Sequence, residues 1–137
     1  MVDKTLLTAK AGAVKKHLDR IRQKTDTDLN TFLTDIDRQE IILFNLQMAI
    51  QNCIDMAAHI VSQESLGMPG SYNEMLYLLE ENGYIHKSIT ELMVKAVGFR
   101  NLVVHEYTKM NMNQIFKTAQ TAPQDINRYL RSILSKI

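Results

Sequence analysis

The chain has 137 residues, of which 45% are apolar, and a formal net charge of +1. This length fits one domain with a single core, and the apolar content excludes a wholly disordered chain. The only cysteine, Cys53, excludes an internal disulfide and fits a reducing cytosol. Neither a secretory signal nor a run of about 18 apolar residues is found. We therefore expect one soluble, cytoplasmic domain over residues 1–137 that does not enter a membrane.

The charge is distributed unevenly along the chain. Residues 1–24 and residues 94–137 each carry seven basic and two acidic side chains, whereas residues 25–93 carry two basic and eleven acidic ones. If the chain ends pack together, the two basic segments form one surface that suits a polyanion or an acidic partner protein. Solvated helix faces are the simpler interpretation of the charge alone.

Helix-forming residues dominate and no period-2 alternation is sustained, so the sequence predicts an all-α, up-down bundle of four to six helices. The first helix is predicted over about residues 5–23, with one apolar face made by Leu6, Ala9, Ala13, Val14, Leu18 and Ile21. A short helical segment at "DLNTFLTD" precedes a long helix. We expect Thr34 to cap the long helix, with Asp37 three residues on, and "GMPG" to follow its end near residue 64.

Two capping boxes predict further helix starts. Ser71 with Glu74 opens a helix that ends near Gly83, and Ser88 with Glu91 opens the next one. The segment after residue 110 is helical in composition but contains a proline at position 123. Because a proline disfavours the helical conformation of the residue before it, we expect an interruption there.

The predicted long helix has two faces. Its core face consists of Ile42, Leu46, Ile50, Cys53, Ala57 and Ile60. A narrow polar stripe on the other side consists of Arg38, Asn45, Asn52, Asp55 and His59. The simpler interpretation of this stripe is a solvent-facing strip between two buried contacts. The functional one is the wall of a cleft or dimer seam, lined by Asn52, Asp55 and His59; Asp55 and His59 alone do not make a metal site.

Motifs for metal, nucleotide or covalent chemistry are absent from the sequence. The four histidines are scattered, there is no H-E-x-x-H or C-x-x-C, and the glycines form neither a P-loop nor a dinucleotide fingerprint. No serine or cysteine stands in a recognisable nucleophile set. If the protein is an enzyme, its chemistry needs few residues and no metal.

The stretch "RNLVVHEY" places Arg100, His105 and Tyr107 close together. Arginine offers a fork of donors to a phosphate, and histidine can transfer a proton near neutral pH. Together they suffice for RNA cleavage in which the ribose 2′-hydroxyl attacks the adjacent phosphodiester, because the substrate then supplies the nucleophile. The alternative is structural: an arginine paired with an acid, a histidine at a helix end and a tyrosine that anchors a loop.

Helical geometry complicates the catalytic interpretation. At 100° per residue, Arg100 and His105 lie about 140° apart on a helix. Asn101 shares a side with His105, and Arg100 shares a side with Tyr107 for as long as the helix continues. One helix therefore does not direct Arg100 and His105 at a single point, whereas two copies facing each other across a two-fold axis can do so.

The quoted stretch matches the R-x4-H-x-Y signature of HEPN-domain proteins. The sequence also resembles the HepT toxin subfamily in "DRQEIILFNLQMAIQNCIDMAAHIV", in "GMPGSYNEMLYLLEENGYI" and in "GFRNLVVHEY". These blocks follow one another in order over about residues 30–110, which is far more specific than the signature alone. The first helix and the tail contribute little to the resemblance.

The resemblance implies a toxin–antitoxin module. Members of the family form homodimers whose Arg and His line a composite cleft and cut RNA without metal, which transfers to Arg100 and His105, with Asn101 as the polar residue that follows the arginine. The usual partner is a minimal nucleotidyltransferase antitoxin, MntA, which uses ATP and magnesium to transfer AMP to the signature tyrosine, here Tyr107. A second hypothesis is a non-catalytic, nucleotide-binding module that serves as substrate or scaffold for the transferase.

Overall fold

The computed structural model describes residues 1–137 and contains only helices. The elements are α1 (Lys4–Thr25), α2 (Leu29–Thr34), α3 (Ile36–Gln63), α4 (Tyr72–Glu81), α5 (Lys87–His105), a short 3₁₀ turn (Tyr107–Lys109) and α6 (Met112–Leu134). The predicted all-α bundle is thereby confirmed, with six α-helices at the upper end of the expected number.

The central element is α3, which packs against all five other α-helices. Every residue of its predicted core face is buried. By length and composition α3 is apolar enough to cross a membrane, but 61% of the relevant 18-residue window is buried inside the bundle. The apolar character of this helix is therefore explained by its position in the core.

The first helix lies along α3 and α6, and its predicted apolar face is confirmed at Val14, Leu18 and Ile21 but wrong in the first half of the helix. Its buried residues are Leu7, Ala11, Val14, Leu18 and Ile21. Leu6 is 38% exposed, and neither Ala9 nor Ala13 is buried. Successive residues point about 100° apart, so only one of the two adjacent leucines can face α3, and the regular spacing of four and three residues starts at Leu7.

The predicted position of the cap of the long helix, Thr34, is wrong by one residue. Thr34 is the last residue of α2, and Asp35 caps α3 because its carboxylate accepts the N–H of Arg38 at 3.0 Å. This hydrogen bond from the backbone holds the pKa of Asp35 below its usual value. An aspartate also interacts better than a threonine with the positive end of the helix dipole, which favours Asp35.

Of the two predicted capping boxes, one is present in half and the other is absent. Ser71 caps α4, since its Oγ accepts the Glu74 N–H at 3.2 Å, although the Glu74 carboxylate accepts from Gly70 and not from Ser71. Ser88 does not cap α5, which starts earlier because the His86 carbonyl already accepts two backbone N–H groups. Gly83, with φ of 81°, lets the chain leave α4 within few residues, so that α5 can start earlier in the sequence.

The last helix continues through Pro123, contrary to the predicted interruption. Proline removes one helical hydrogen bond, but Pro123 is buried, as are Ala119 before it and Ile126 after it. The second half of α6 is also fixed by two long-range hydrogen bonds. The Tyr129 hydroxyl donates to the Cys53 carbonyl at 2.9 Å, and the Ser132 hydroxyl donates to the Tyr84 carbonyl at 2.6 Å. Tertiary packing thus outweighs the local preference.

The two basic ends of the chain meet where α1 packs against α6. A cavity of about 580 Å³ between these helices is lined by Lys15, Arg22 and Arg131, among others. Arg22 also contacts Asp19 on its own helix at 3.2 Å. The two basic ends of the chain therefore pack together, as the prediction of one shared basic surface requires.

Candidate active site

Arg100 and His105 both lie in the last turns of α5, which ends at His105. Arg100 is half-buried, whereas His105 is exposed. Both are helical, so the angular separation expected from the sequence applies to them. A single chain therefore directs the guanidinium and the imidazole to different sides of α5.

Tyr107 does not continue α5. Glu106 leaves helical geometry with φ of −136° and ψ of 34°, and Tyr107 starts the 3₁₀ turn. Tyr107 was expected to share a helix face with Arg100 only if the helix continued that far, and this condition is not met because the helix ends between them. Tyr107 is 46% exposed, and no side-chain hydrogen bond holds its hydroxyl.

The guanidinium of Arg100 has one short hydrogen bond. Its Nη2 donates to Oε1 of Gln51 on α3 at 2.9 Å, and its Nη1 makes only a 3.4 Å contact with Asn101. Its Nε is buried without a partner. Arg100 forms no ion pair, so the predicted structural alternative, an arginine paired with an acid, is not found.

Apolar side chains surround His105 on the surface. Leu102 is 47% exposed and Val104 is 43% exposed, whereas Val103 between them points into the core. Exposed apolar groups beside a candidate catalytic residue are typical of a surface that another chain covers.

A cavity of about 460 Å³ adjoins the same part of α5. It lies between the start of α4 and α5, and its lining includes Tyr72, Asn73 and Asn101. The Oδ1 atom of Asn73 is buried without a hydrogen-bond partner. Polar groups at the start of α4 therefore share this cavity with Asn101, the residue that follows Arg100.

The polar stripe of α3 is covered mainly by α1, so the simpler interpretation of a solvent-facing strip is wrong. Asn45 and Asn52 are buried, and Asn45 also contacts His17 at 2.8 Å. Each of the two asparagines donates its side-chain N–H₂ to the backbone carbonyl four residues earlier. The stripe is polar because the helix packed on it is polar and amphipathic.

Asp55 and His59 also face α1. Asp55 accepts from Lys10 at 3.2 Å, and Nε2 of His59 accepts the backbone N–H of Asp3 at 3.0 Å. His59 therefore has its ring proton on Nδ1. Of the three residues predicted to line a cleft, Asp55 approaches Arg100, through Gln51, which donates to the Asp55 carboxylate at 3.0 Å. A cleft role for Asn52 and His59 stays a prediction.

Gln51 and Lys10 were missed by the sequence analysis. Gln51 precedes Asp55 by four residues, so the two share a helix side, and this spacing was the available signal. The link from Gln51 to Arg100 spans 49 positions of sequence. No short sequence pattern can reveal a contact between residues this far apart.

Other titratable groups offer little chemistry. Burial raises the pKa of the Cys53 thiol, which excludes it as a reactive thiolate at neutral pH. Burial also raises the pKa of Tyr129, whose hydroxyl is fixed on a carbonyl. No group of three or more His, Cys, Asp or Glu side chains is placed to hold a metal ion.

Comparison with known proteins agrees with this arrangement. The model of a family described as "Ribonuclease HepT-like" matches residues 14–133. The mRNA nuclease HepT of Shewanella oneidensis is 30% identical over 125 residues, which cover 91% of this chain and 93% of that protein. The tRNA nuclease HepT of Aphanizomenon flos-aquae is 25% identical over 134 residues, which cover 98% and 91%.

A solved structure has nearly the same fold. The tri-AMPylated Shewanella oneidensis HEPN toxin in complex with its MNT antitoxin superimposes with a TM-score of 0.88 at 30% identity, over 98% of this chain and 99% of that one. The residues that the family model matches, 14–133, include Arg100, His105 and Tyr107. The chain belongs to the ribonuclease HepT-like family.

Proposed function

We propose that this protein is the toxin of a toxin–antitoxin pair and cleaves RNA without a metal ion. The family membership supplies the class of enzyme. The observation that carries the mechanism is the state of the Arg100 guanidinium, which is fixed on Gln51 but free of any carboxylate. A cation held in this way keeps its charge and its remaining donors for a phosphate.

The proposed reaction uses the nucleophile of the substrate. His105, as a general base, removes the proton of a ribose 2′-hydroxyl, and the 2′-oxygen attacks the adjacent phosphorus. The bond from phosphorus to the 5′-oxygen breaks, which leaves a 2′,3′-cyclic phosphate on one fragment, and the 5′-oxygen of the other fragment takes a proton from water to become a hydroxyl. Arg100 stabilises the negative charge that develops on the phosphate oxygens.

The proposed active form is a homodimer. Within one chain Arg100 and His105 point to different sides of α5, and the exposed Leu102 and Val104 offer an apolar surface next to His105. A second copy that covers this surface brings Arg100 of one chain towards His105 of the other. Each dimer then contains two composite clefts.

The proposed antitoxin is an MntA-like nucleotidyltransferase that silences the toxin by attaching AMP to Tyr107. The relatives support this regulation, since one solved structure holds a tri-AMPylated toxin bound to its MNT antitoxin. Tyr107 is exposed and its hydroxyl is unoccupied by any hydrogen bond, so an enzyme can reach it. The transferase, and not the toxin, uses ATP and magnesium.

Cleavage of RNA in excess EDTA tests the proposal. The purified protein is incubated with labelled RNA and with the same RNA carrying a 2′-deoxy sugar at the cleavage site. We expect the RNA to be cut to a 2′,3′-cyclic phosphate and the 2′-deoxy substrate to stay intact. Cleavage that stops in EDTA contradicts the metal-free mechanism. No cleavage in either condition favours the second hypothesis, a non-catalytic substrate or scaffold of the transferase.

A further inference from the structure

Gln51 connects Arg100 to the ion pair that Asp55 of α3 forms with Lys10 of α1. Its Oε1 accepts from Arg100 at 2.9 Å, and its Nε2 donates to Oδ1 of Asp55 at 3.0 Å. The other carboxylate oxygen of Asp55 accepts from Lys10 at 3.2 Å. The four side chains form a continuous polar chain from α1 through α3 to α5.

The orientation of the Gln51 amide follows from the chemistry of its two neighbours. A guanidinium has only donors, so the amide oxygen must face Arg100. An ionised carboxylate has only acceptors, so the amide N–H₂ must face Asp55. Each neighbour therefore selects the same orientation, which removes the usual ambiguity of a glutamine side chain.

Asp55 fixes Gln51 and is itself fixed by Lys10. The two α3 residues are one helical turn apart, where side chains contact each other readily. The side chains of Lys10 and Asp55 remain 35% and 38% exposed, so the ion pair contributes little stability by itself. Its effect is to restrict the rotamer of Asp55, and through it the rotamer of Gln51.

An uncharged hydrogen-bond partner can hold a catalytic arginine without offsetting its charge. A carboxylate in direct contact with Arg100 would offset its charge and compete with a phosphate for its donors. Gln51 occupies one N–H of Nη2 and adds no charge. Asp55 is the one carboxylate among the four hydrogen-bonded side chains, and the Gln51 amide separates it from Arg100.

We propose that Gln51 is a positioning residue that holds Arg100 in the orientation needed to contact the scissile phosphate of RNA. This inference rests on the proposed function, in which Arg100 stabilises the charge on the phosphate. It assigns to Gln51 an effect on the geometry of the cation and not a contact with the substrate. Misplacement of a catalytic group by about 1 Å can lower a rate about 100-fold.

The kinetic test compares two glutamines of α3. Gln51→Leu removes both hydrogen bonds and keeps a similar volume, while Gln47→Leu changes a partly exposed glutamine one turn earlier that has no side-chain hydrogen bond. We expect Gln51→Leu to lower kcat about 10–100-fold with a smaller change in KM, and Gln47→Leu to leave both near wild type. A loss shared equally by the two variants, or confined to KM, contradicts the positioning role.

A polar variant covers the case in which Gln51→Leu does not fold. Gln51→Glu keeps the size of the side chain but turns a second carboxylate towards Asp55 and places an acid on Arg100. We expect it to lower kcat within the same range, because Arg100 is then neutralised and displaced. A folded Gln51→Glu protein that cleaves at the wild-type rate overturns the inference.

A second readout needs no activity. The side-chain Nε–H signal of Arg100 in an NMR spectrum, assigned by its disappearance in Arg100→Lys, reports the picosecond-to-nanosecond mobility of the guanidinium. We expect its order parameter to fall in Gln51→Leu and to stay unchanged in Gln47→Leu. An unchanged order parameter in Gln51→Leu shows that Gln51 does not hold Arg100.

The failure of this inference differs from the failure of the proposed function. If Arg100→Ala keeps the wild-type rate, Arg100 is not catalytic, and the proposed function and this inference fail together. If Arg100→Ala is inactive but Gln51→Leu is folded and cleaves as fast as Gln47→Leu, only the positioning role of Gln51 is wrong.

Discussion

Arg100 and His105 differ in how the fold holds them, and this difference bears on catalysis. The guanidinium is half-buried and anchored across to α3, whereas the imidazole stands exposed in the last turn of α5. A phosphate-binding group benefits from a fixed position, because its donors then need no reorganisation in the transition state. A general base at the end of a helix stays in contact with the substrate and with water.

Replacing either residue by alanine should abolish most of the cleavage. We expect Arg100→Ala and His105→Ala each to lower the rate about 10²–10⁴-fold, through loss of charge stabilisation and of proton transfer, respectively. Neither side chain belongs to the buried core, so the fold should survive. Single-turnover cleavage of RNA, with circular dichroism as the control for folding, measures both effects. A folded variant with near-normal activity removes its residue from the mechanism.

Tyr107→Phe separates catalysis from regulation. The phenol oxygen has no hydrogen bond in the structure, so its removal should leave the fold and at least part of the cleavage intact. Incubation with the partner transferase, ATP and magnesium should add AMP to the wild-type chain and none to the variant. Intact-protein mass spectrometry detects the difference, and an equally modified Phe variant contradicts the role of Tyr107.

The attached AMP need not lie on the Arg100 side of α5. The turn after Glu106 separates Tyr107 from that helix, so the position of the added phosphate depends on the 3₁₀ turn and not on α5. The sequence identified Arg100, His105 and Tyr107 by their motif, but their relative directions depended on where the helix ends. A helix end is set by a few competing hydrogen bonds and is therefore harder to predict than a motif.

At the scale of the elements, periodicity predicted the helices better than it predicted their ends. The core face of α3 was predicted correctly because six apolar residues at helical spacing leave one possible face. In α1 the adjacent Leu6 and Leu7 allowed two registers, and only the packing on α3 selects Leu7. Pro123 was mistaken for an interruption because its burial depends on residues far away in the sequence.

The two serines of the predicted capping boxes provide a matched test of helix capping. Ser71 accepts the N–H of Glu74, whereas Ser88 lies inside α5 and accepts no such bond. We expect Ser71→Ala to lower the free energy of unfolding by about 1 kcal/mol. Ser88→Ala should change it by less than about 0.5 kcal/mol. Urea unfolding followed by circular dichroism measures both, and equal effects would contradict the assigned caps.

At the scale of the whole molecule, the sequence could not supply long-range contacts. The polar stripe of α3 was interpreted as solvent-facing because nothing local shows that α1 covers it. The same limit hid Gln51, whose role depends on a contact between α3 and α5. In the proposed dimer a second copy covers the exposed Leu102 and Val104 beside His105, so the proposed active site belongs to the assembly and not to the single chain.

Mixing inactive variants tests whether each cleft takes Arg100 from one chain and His105 from the other. A mixed dimer of Arg100→Ala and His105→Ala then has one intact cleft and one cleft that lacks both groups. With random pairing, half of the dimers are mixed, so we expect recovery of about a quarter of the wild-type activity. No recovery after confirmed subunit exchange indicates that each cleft draws both residues from one chain.

The reverse mixture is the control for this prediction, because it moves the activity in the opposite direction. In a dimer of wild type with the double variant Arg100→Ala/His105→Ala, each composite cleft lacks one group, so both clefts are damaged. An equal mixture should then keep only the activity of wild-type dimers, about a quarter of that of the same total amount of wild type. If both residues of a cleft come from one chain, the wild-type half stays active in every mixed dimer, and about half of the activity remains.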